Sequence, residues 1–142
     1  YTLYLSTQYE VSTDRILKTL NQYKKNIFLP KLVKDKLKFN AYDCKTNLRK
    51  NKFNIREIDN HDYIDIKNIN TFVIPCLGVD VNGFRLGYGG GFYDKTLSSI
   101  KNNKKVNFIG LAYDYQVLDE SFGESHDIKY DLVITENKII KY

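Results

Sequence analysis

A segment that is apolar at almost every position constrains this chain most. Phe72, Val73 and Ile74 follow Thr71 without a polar break and stop at Pro75. A strand without alternation needs cover on both faces, which is the situation of a buried strand in an α/β sheet. Beyond it come a turn over Asp80-Val81-Asn82-Gly83 and then Arg85-Leu86-Gly87-Tyr88-Gly89-Gly90-Gly91-Phe92-Tyr93-Asp94, in which four of ten residues are glycine. A helix is expected next, with Tyr93, Leu97 and Ile100 on one face. Glycines placed between a buried strand and a helix start let backbone N–H groups approach an anion, and the helix adds its positive end. They serve equally in a turn that needs positive φ angles, and neither G-x-G-x-x-G nor G-x-x-x-x-G-K-[ST] spacing is present.

The flanks favour a phosphate-bearing guest. Arg85 suits a phosphate or a carboxylate. Asp94, in the first helical turn, suits the Mg²⁺ that accompanies a nucleotide, or complements the helix dipole. The remaining composition narrows the class. With 142 residues, 42% hydrophobic and 27% charged, the chain has the makings of one folded core rather than a disordered segment. No apolar run reaches membrane-spanning length and no signal segment opens the chain, so a cytoplasmic setting without membrane contact is expected. Cys44 and Cys76 lack metal-ligand spacing and read as reduced thiols. The net charge of +5 is spread through Asn-rich stretches rather than gathered on one face, which fits an anionic small molecule and gives no reason to expect nucleic acid.

Other segments supply the rest of the architecture. Tyr1 to Leu5 reads as a strand, Ile16, Leu17, Leu20 and Tyr23 as a helix behind the capping candidates Ser12 and Thr13, and Lys36 to Tyr42 as an alternating strand. Asn26 to Leu29 is a short apolar run that Pro30 should stop, and residues 47–70 read as mostly irregular. Val106 to Tyr113 is a strand, and residues 131–140 form a strand and its return around Glu136-Asn137. Strands alternating with helices predict a single α/β domain over residues 1–142 with a largely parallel central sheet flanked by helices.

The run Arg85 to Asp94, preceded by Ile74-Pro75 and the Asp80 to Gly83 turn, resembles the signature of the 5-formyltetrahydrofolate cyclo-ligase (methenyltetrahydrofolate synthetase) family, with Phe92 in place of a Tyr. The resemblance continues in Leu5-Ser6, Glu10 and Thr13, in Leu29-Pro30, in Gly110 to Tyr113 with Gln116, and in Glu124 to Asp127, Asp131 and Ile134 to Glu136. It departs at Cys76, where Gly is usual after Pro75, and at Ile58, where Pro is usual after Glu57. The resemblance implies an architecture like that of the ribose-phosphate isomerases and CoA-transferases. It also implies a chain that starts after the family's basic N-terminal helix. In keeping with that, the sequence opens on Tyr1 and contains no Met, so a fragment or processed chain is expected.

The activity implied is ATP- and Mg²⁺-dependent closure of 5-formyltetrahydrofolate to 5,10-methenyltetrahydrofolate, by a monomer acting on a small molecule. The alternative is a non-catalytic relative that binds folate, nucleotide or RNA. Carried across by the resemblance, Arg85, Leu86, Gly87, Tyr88, Gly89, Gly90, Gly91, Phe92 and Tyr93 would line the ATP site, with Arg85 and Tyr93 catalytic. Leu5, Glu10 and Phe53 would contact folate together with Tyr88 to Phe92, and Asp94 and Asp127 would hold the metal. His126 reads as a loop hydrogen-bonding residue beside Asp127, and His61 as surface.

Overall fold

The computed structural model describes residues 1–51 and 54–142. Phe53 lies outside the described residues. The first helix, α1 (Asp14–Gln22), is followed by the antiparallel pair β1 (Ile27–Val33) and β2 (Lys36–Tyr42). A short hairpin of β3 (Leu48–Lys50) and β4 (Arg56–Ile58) comes next, then β5 (Tyr63–Ile64), which pairs with β2. After β6 (Thr71–Ile74), the small pair β7 (Gly78–Val79) and β8 (Arg85–Leu86) leads to α2 (Phe92–Leu97). The chain closes with β9 (Asn107–Leu111), β10 (Leu132–Ile134) and β11 (Ile139–Lys141).

The sheet is mixed. Its parallel part is the order β10-β9-β6, with β11 antiparallel at the outer edge. The opening residues extend that part: Thr2 bridges both Phe72 and Phe28 in parallel, so the chain start fills the gap between β6 and β1. β2 and β5 then continue the β1 side in antiparallel pairing. The expected helical flanks are slight, a nine-residue and a six-residue helix.

Cover on both faces is what the apolar β6 run demanded, and the structure supplies it. Phe72 and Ile74 join a cluster with Phe39, Leu97, Phe108 and Val133, whereas Val73 joins one with Leu3, Leu5, Leu17, Leu29 and Leu111. Phe72 sits between Phe39 and Phe108, each at 5.7 Å between ring centres. Gly110 in β9 makes room for Tyr130, since a Cβ there would meet its ring at 2.9 Å. The Tyr130 hydroxyl donates to the Ile74 carbonyl at 2.9 Å and so fixes the end of β6.

Four local expectations change. Pro30 does not end its run but lies within β1. The Phe28 N–H points to Tyr1, and Pro30, two residues on, faces the same side beyond the last bridge to the chain start, where no ladder donor is required. Thr13 stands at the helix start as expected, but its hydroxyl donates to the Tyr4 carbonyl at 2.6 Å instead of capping α1, which ties the helix to the opening segment, where the expected strand over Tyr1 to Leu5 is reduced to the Thr2 bridges. Residues 47–70, read as irregular, contain β3, β4 and β5. These strands are only two or three residues long, too short for a period to show among their charges.

Candidate active site

A cleft of about 430 Å³ opens where three parallel segments end: Leu5 beyond the Thr2 bridge, Pro30 beyond Phe28 and Pro75 beyond β6. Ligands of open α/β sheets commonly bind at the carboxyl ends of the parallel strands. Leu32, Leu37 and Ile55 make part of its wall apolar, and Tyr88, Gly90, Gly91, Phe92 and Tyr93 line it as well. The glycine loop reaches the cleft because α2 is anchored at its far end, where the Thr96 hydroxyl accepts from the Leu37 N–H at 2.8 Å.

Arg85 is the buried cation of this site, its side chain 5% exposed. Its Nη2 donates to Asp94 Oδ2 at 2.6 Å, its Nη1 lies 3.4 Å from the Pro75 carbonyl, and its guanidinium covers the Tyr93 ring at 5.6 Å. The Nε hydrogen has no partner among the described residues. Gly87 permits this packing, because a Cβ at that position would stand 2.6 Å from Nη1. Asp94 is correspondingly committed, its Oδ1 accepting from the Ile128 N–H at 3.0 Å.

The loop itself is built to face a guest. Gly89 and Gly91 adopt φ of 85° and 62°, the left-handed region that glycine enters without strain. The backbone N–H groups of Tyr88, Gly89, Gly90 and Gly91 take no partner among the described residues. Because α2 has only six residues, these loop donors, rather than a helix dipole, are what the site offers an anion.

The titratable groups set limits on the chemistry. Burial, then the Glu10 carboxylate, pushes the Tyr88 phenol up to about 12. Tyr93 is raised further, by burial and despite Arg85. Both phenols are therefore neutral near pH 7 and act as O–H donors and ring surfaces rather than bases. Burial also pushes the Cys76 thiol up to about 11, which rules out a ready thiolate nucleophile. Cys44 is exposed, and both thiols are free, as the spacing suggested.

The profile of the 5-formyltetrahydrofolate cyclo-ligase family matches residues 2–136. This chain belongs to that family. It is 32% identical over 138 residues to the 5-formyltetrahydrofolate cyclo-ligase of Haemophilus influenzae, covering 93% of this chain and 73% of that one. With the Escherichia coli cyclo-ligase it shares 30% identity over 142 residues, covering 96% and 78%. The solved structure of Aquifex aeolicus 5,10-methenyltetrahydrofolate synthetase has the same fold, with a TM-score of 0.83 at 24% identity, covering 99% of this chain and 70% of the other.

Of the residues that the family resemblance singled out, the structure brings Leu5, Glu10, Arg85, Tyr88, Gly90, Gly91, Phe92 and Tyr93 to the cleft. Leu86, Gly87 and Gly89 lie in the same loop but off the cleft lining, Gly87 behind Arg85 and Leu86 exposed. Asp127 is a loop residue whose Oδ2 accepts from the Glu124 N–H at 2.9 Å, with the exposed His126 ring 3.5 Å from Oδ1. His61 is exposed and bonded to Tyr63, as a surface residue should be.

Apart from Phe53, which lies outside the described residues, sequence reasoning assigned no site residue to the β3–β4 hairpin. Glu57, Asn51, Ile55 and Arg56 line the cleft from a stretch whose strands were too short to recognise. Arg56 also borders a second cleft of about 260 Å³ and pairs with Asp14 of α1 at 3.5 Å. Gln116, noted only for its family resemblance, holds the Pro75 turn. Its amide donates to the Leu77 carbonyl at 3.1 Å and its oxygen accepts from the Tyr113 N–H at 2.8 Å.

Proposed function

We propose that this protein catalyses the ATP-dependent cyclisation of 5-formyltetrahydrofolate to 5,10-methenyltetrahydrofolate, releasing ADP and phosphate. The observation that carries the reading is the convergence of Leu5 and Glu10, from the chain start, with the glycine loop and the buried Arg85 in one cleft of a cyclo-ligase-family chain. The apolar wall and the aromatic side chains suit a flat pteridine, and the unpartnered loop N–H groups with Arg85 suit a triphosphate.

In this reading the γ-phosphoryl group passes to the formyl oxygen and ADP departs. The second folate nitrogen then attacks the activated carbon and loses its proton, and the C–O bond breaks as phosphate leaves. Such chemistry needs positioning and charge neutralisation rather than a covalent nucleophile. Arg85 answers the charge that grows on the transferred phosphoryl oxygens, with Asp94 and Pro75 holding its orientation and Tyr93 beneath it. Glu10, fixed by the Thr7 N–H at 2.7 Å, is an acceptor for one N–H of the reduced pteridine.

We assign a magnesium ion arriving with the nucleotide to Asp94 and Asp127, which stand in the first turn of α2 and in the loop after Glu124, off the cleft lining itself. Mg²⁺ takes one or two carboxylates and completes its shell with phosphate oxygens and water, so no cluster of three acidic residues is needed. Among the described residues there is none. Asp127 and the second lone pairs of Asp94 would hold the ion, and it would neutralise phosphate charge.

The two carboxylates should respond differently to removal of charge. Asp127→Asn should raise the Mg²⁺ concentration for half-maximal turnover by about tenfold, a loss that excess Mg²⁺ restores. Asp94→Asn should lower turnover even at saturating Mg²⁺, because it also frees a buried guanidinium, and should cost roughly 3–5 kcal/mol of stability. Mg²⁺ titrations of turnover with parallel melting curves check both. Identical behaviour of the two variants would contradict the assignment. Appearance of 5,10-methenyltetrahydrofolate from 5-formyltetrahydrofolate and Mg-ATP tests the activity itself.

A further inference from the structure

Two carboxylates line the cleft among the described residues, Glu10 and Glu57, and they are placed differently. Glu10 is already engaged by the Thr7 N–H and lies beside the Tyr88 phenol that it raises. Glu57 sits on β4, only 8% exposed, with the Asn51 amide donating to its Oε2 at 2.9 Å. Its neighbour Arg56 is turned to Asp14. A carboxylate taken this far out of water loses more hydration than a neutral amide returns, so a buried one facing a cleft gains from a ligand that brings N–H donors to it.

The pteridine of 5-formyltetrahydrofolate carries such donors, a ring N–H beside an exocyclic amine, arranged side by side as in a guanidinium. We propose that Glu57 is a substrate-binding carboxylate that receives this donor edge, with Asn51 fixing its rotamer and the Leu5, Leu37 and Ile55 side chains packing on the ring. This rests on the folate reading of the cleft. It places specificity for a reduced pteridine partly on the β3–β4 hairpin, leaving the glycine loop to the phosphates.

The test is the affinity of the whole chain for 5-formyltetrahydrofolate without ATP, by calorimetry, together with kcat and KM. Glu57→Ala should weaken folate binding by about 10–100-fold and Glu57→Gln by about tenfold, since a hydrogen bond to a charged group is lost or neutralised. Both should leave KM for ATP within about twofold of the starting protein, the mark of an interaction with one substrate only. Should Glu57→Ala fail to fold, the near-isosteric Glu57→Gln carries the measurement. Unchanged folate affinity in a folded variant, with only a lower melting temperature, would overturn the assignment and leave Glu57 a structural residue. Starting protein that neither binds 5-formyltetrahydrofolate nor forms product would overturn the folate reading itself, and this inference with it.

Discussion

Arg85→Ala is expected to lower turnover by about three powers of ten, the scale of losing a preorganised cation that meets charge formed in a phosphoryl-transfer transition state. The substitution also strands Asp94, now a carboxylate 15% exposed without its ion-pair partner, so a fall in melting temperature should accompany the loss. Arg85→Lys separates the two effects. An ammonium keeps the charge near Asp94 but lacks the planar fork that lets one guanidinium donate to Asp94 and to the Pro75 carbonyl from fixed positions. It should therefore recover most of the stability and little of the turnover. Steady-state kinetics on both variants, with thermal melts, give the comparison. Near-normal turnover in Arg85→Ala would remove this residue from the chemistry.

A second large loss of stability is expected away from the cleft. Asp80 is fully buried, and its carboxylate accepts four backbone N–H groups, from Asn82 at 2.9 Å, Phe84 at 2.8 Å, Phe122 at 3.2 Å and Gly123 at 3.1 Å. It thereby fastens the turn that leads into Arg85 to the segment that leads into Asp127. Asp80→Ala leaves these donors unmet and should cost about 3–5 kcal/mol, with Asp80→Asn costing less because one amide oxygen still accepts. Burial alone would raise this carboxyl, but the four donors outweigh it and hold it below its ordinary value of 3.8. A depressed folded value means that the contribution is present above the unfolded carboxyl range and is lost as pH falls through the folded one. Urea titrations at neutral and acidic pH should therefore show a gap between the original protein and Asp80→Asn that closes on acidification. A gap independent of pH would show that the carboxylate charge is not what holds the turn.

How much of this was legible in the sequence follows from the length scale of each signal. The β6 run, the Lys36–Tyr42 alternation and the glycine loop each span enough residues for a pattern to show, and they landed where the structure has them. Pro30 misled because proline reports a missing donor, and only the three-dimensional pairing shows that no donor was wanted there. The parallel centre followed from the apolar β6, but the antiparallel β2, β5 and β11 depend on pairing partners that no local pattern names. Among site residues, Arg85 and Tyr93 were singled out through the family resemblance to a continuous motif, whereas Glu57 and Asn51 belong to a hairpin too short to have a period. Asp94 shows a further limit. Its position in the first helical turn suggested a metal or a dipole, and only the structure reveals the 2.6 Å bond to Arg85.

One cleft is proposed to hold a reduced folate against the glycine loop and to activate its formyl group with ATP. Incubation of the chain with 5-formyltetrahydrofolate and Mg-ATP, followed by the absorbance of 5,10-methenyltetrahydrofolate and by ADP release, tests it most directly. Both products should form in equal amounts, and both should cease when Mg²⁺ is chelated. ADP release without the methenyl product, or tight folate binding with no product at all, would contradict it.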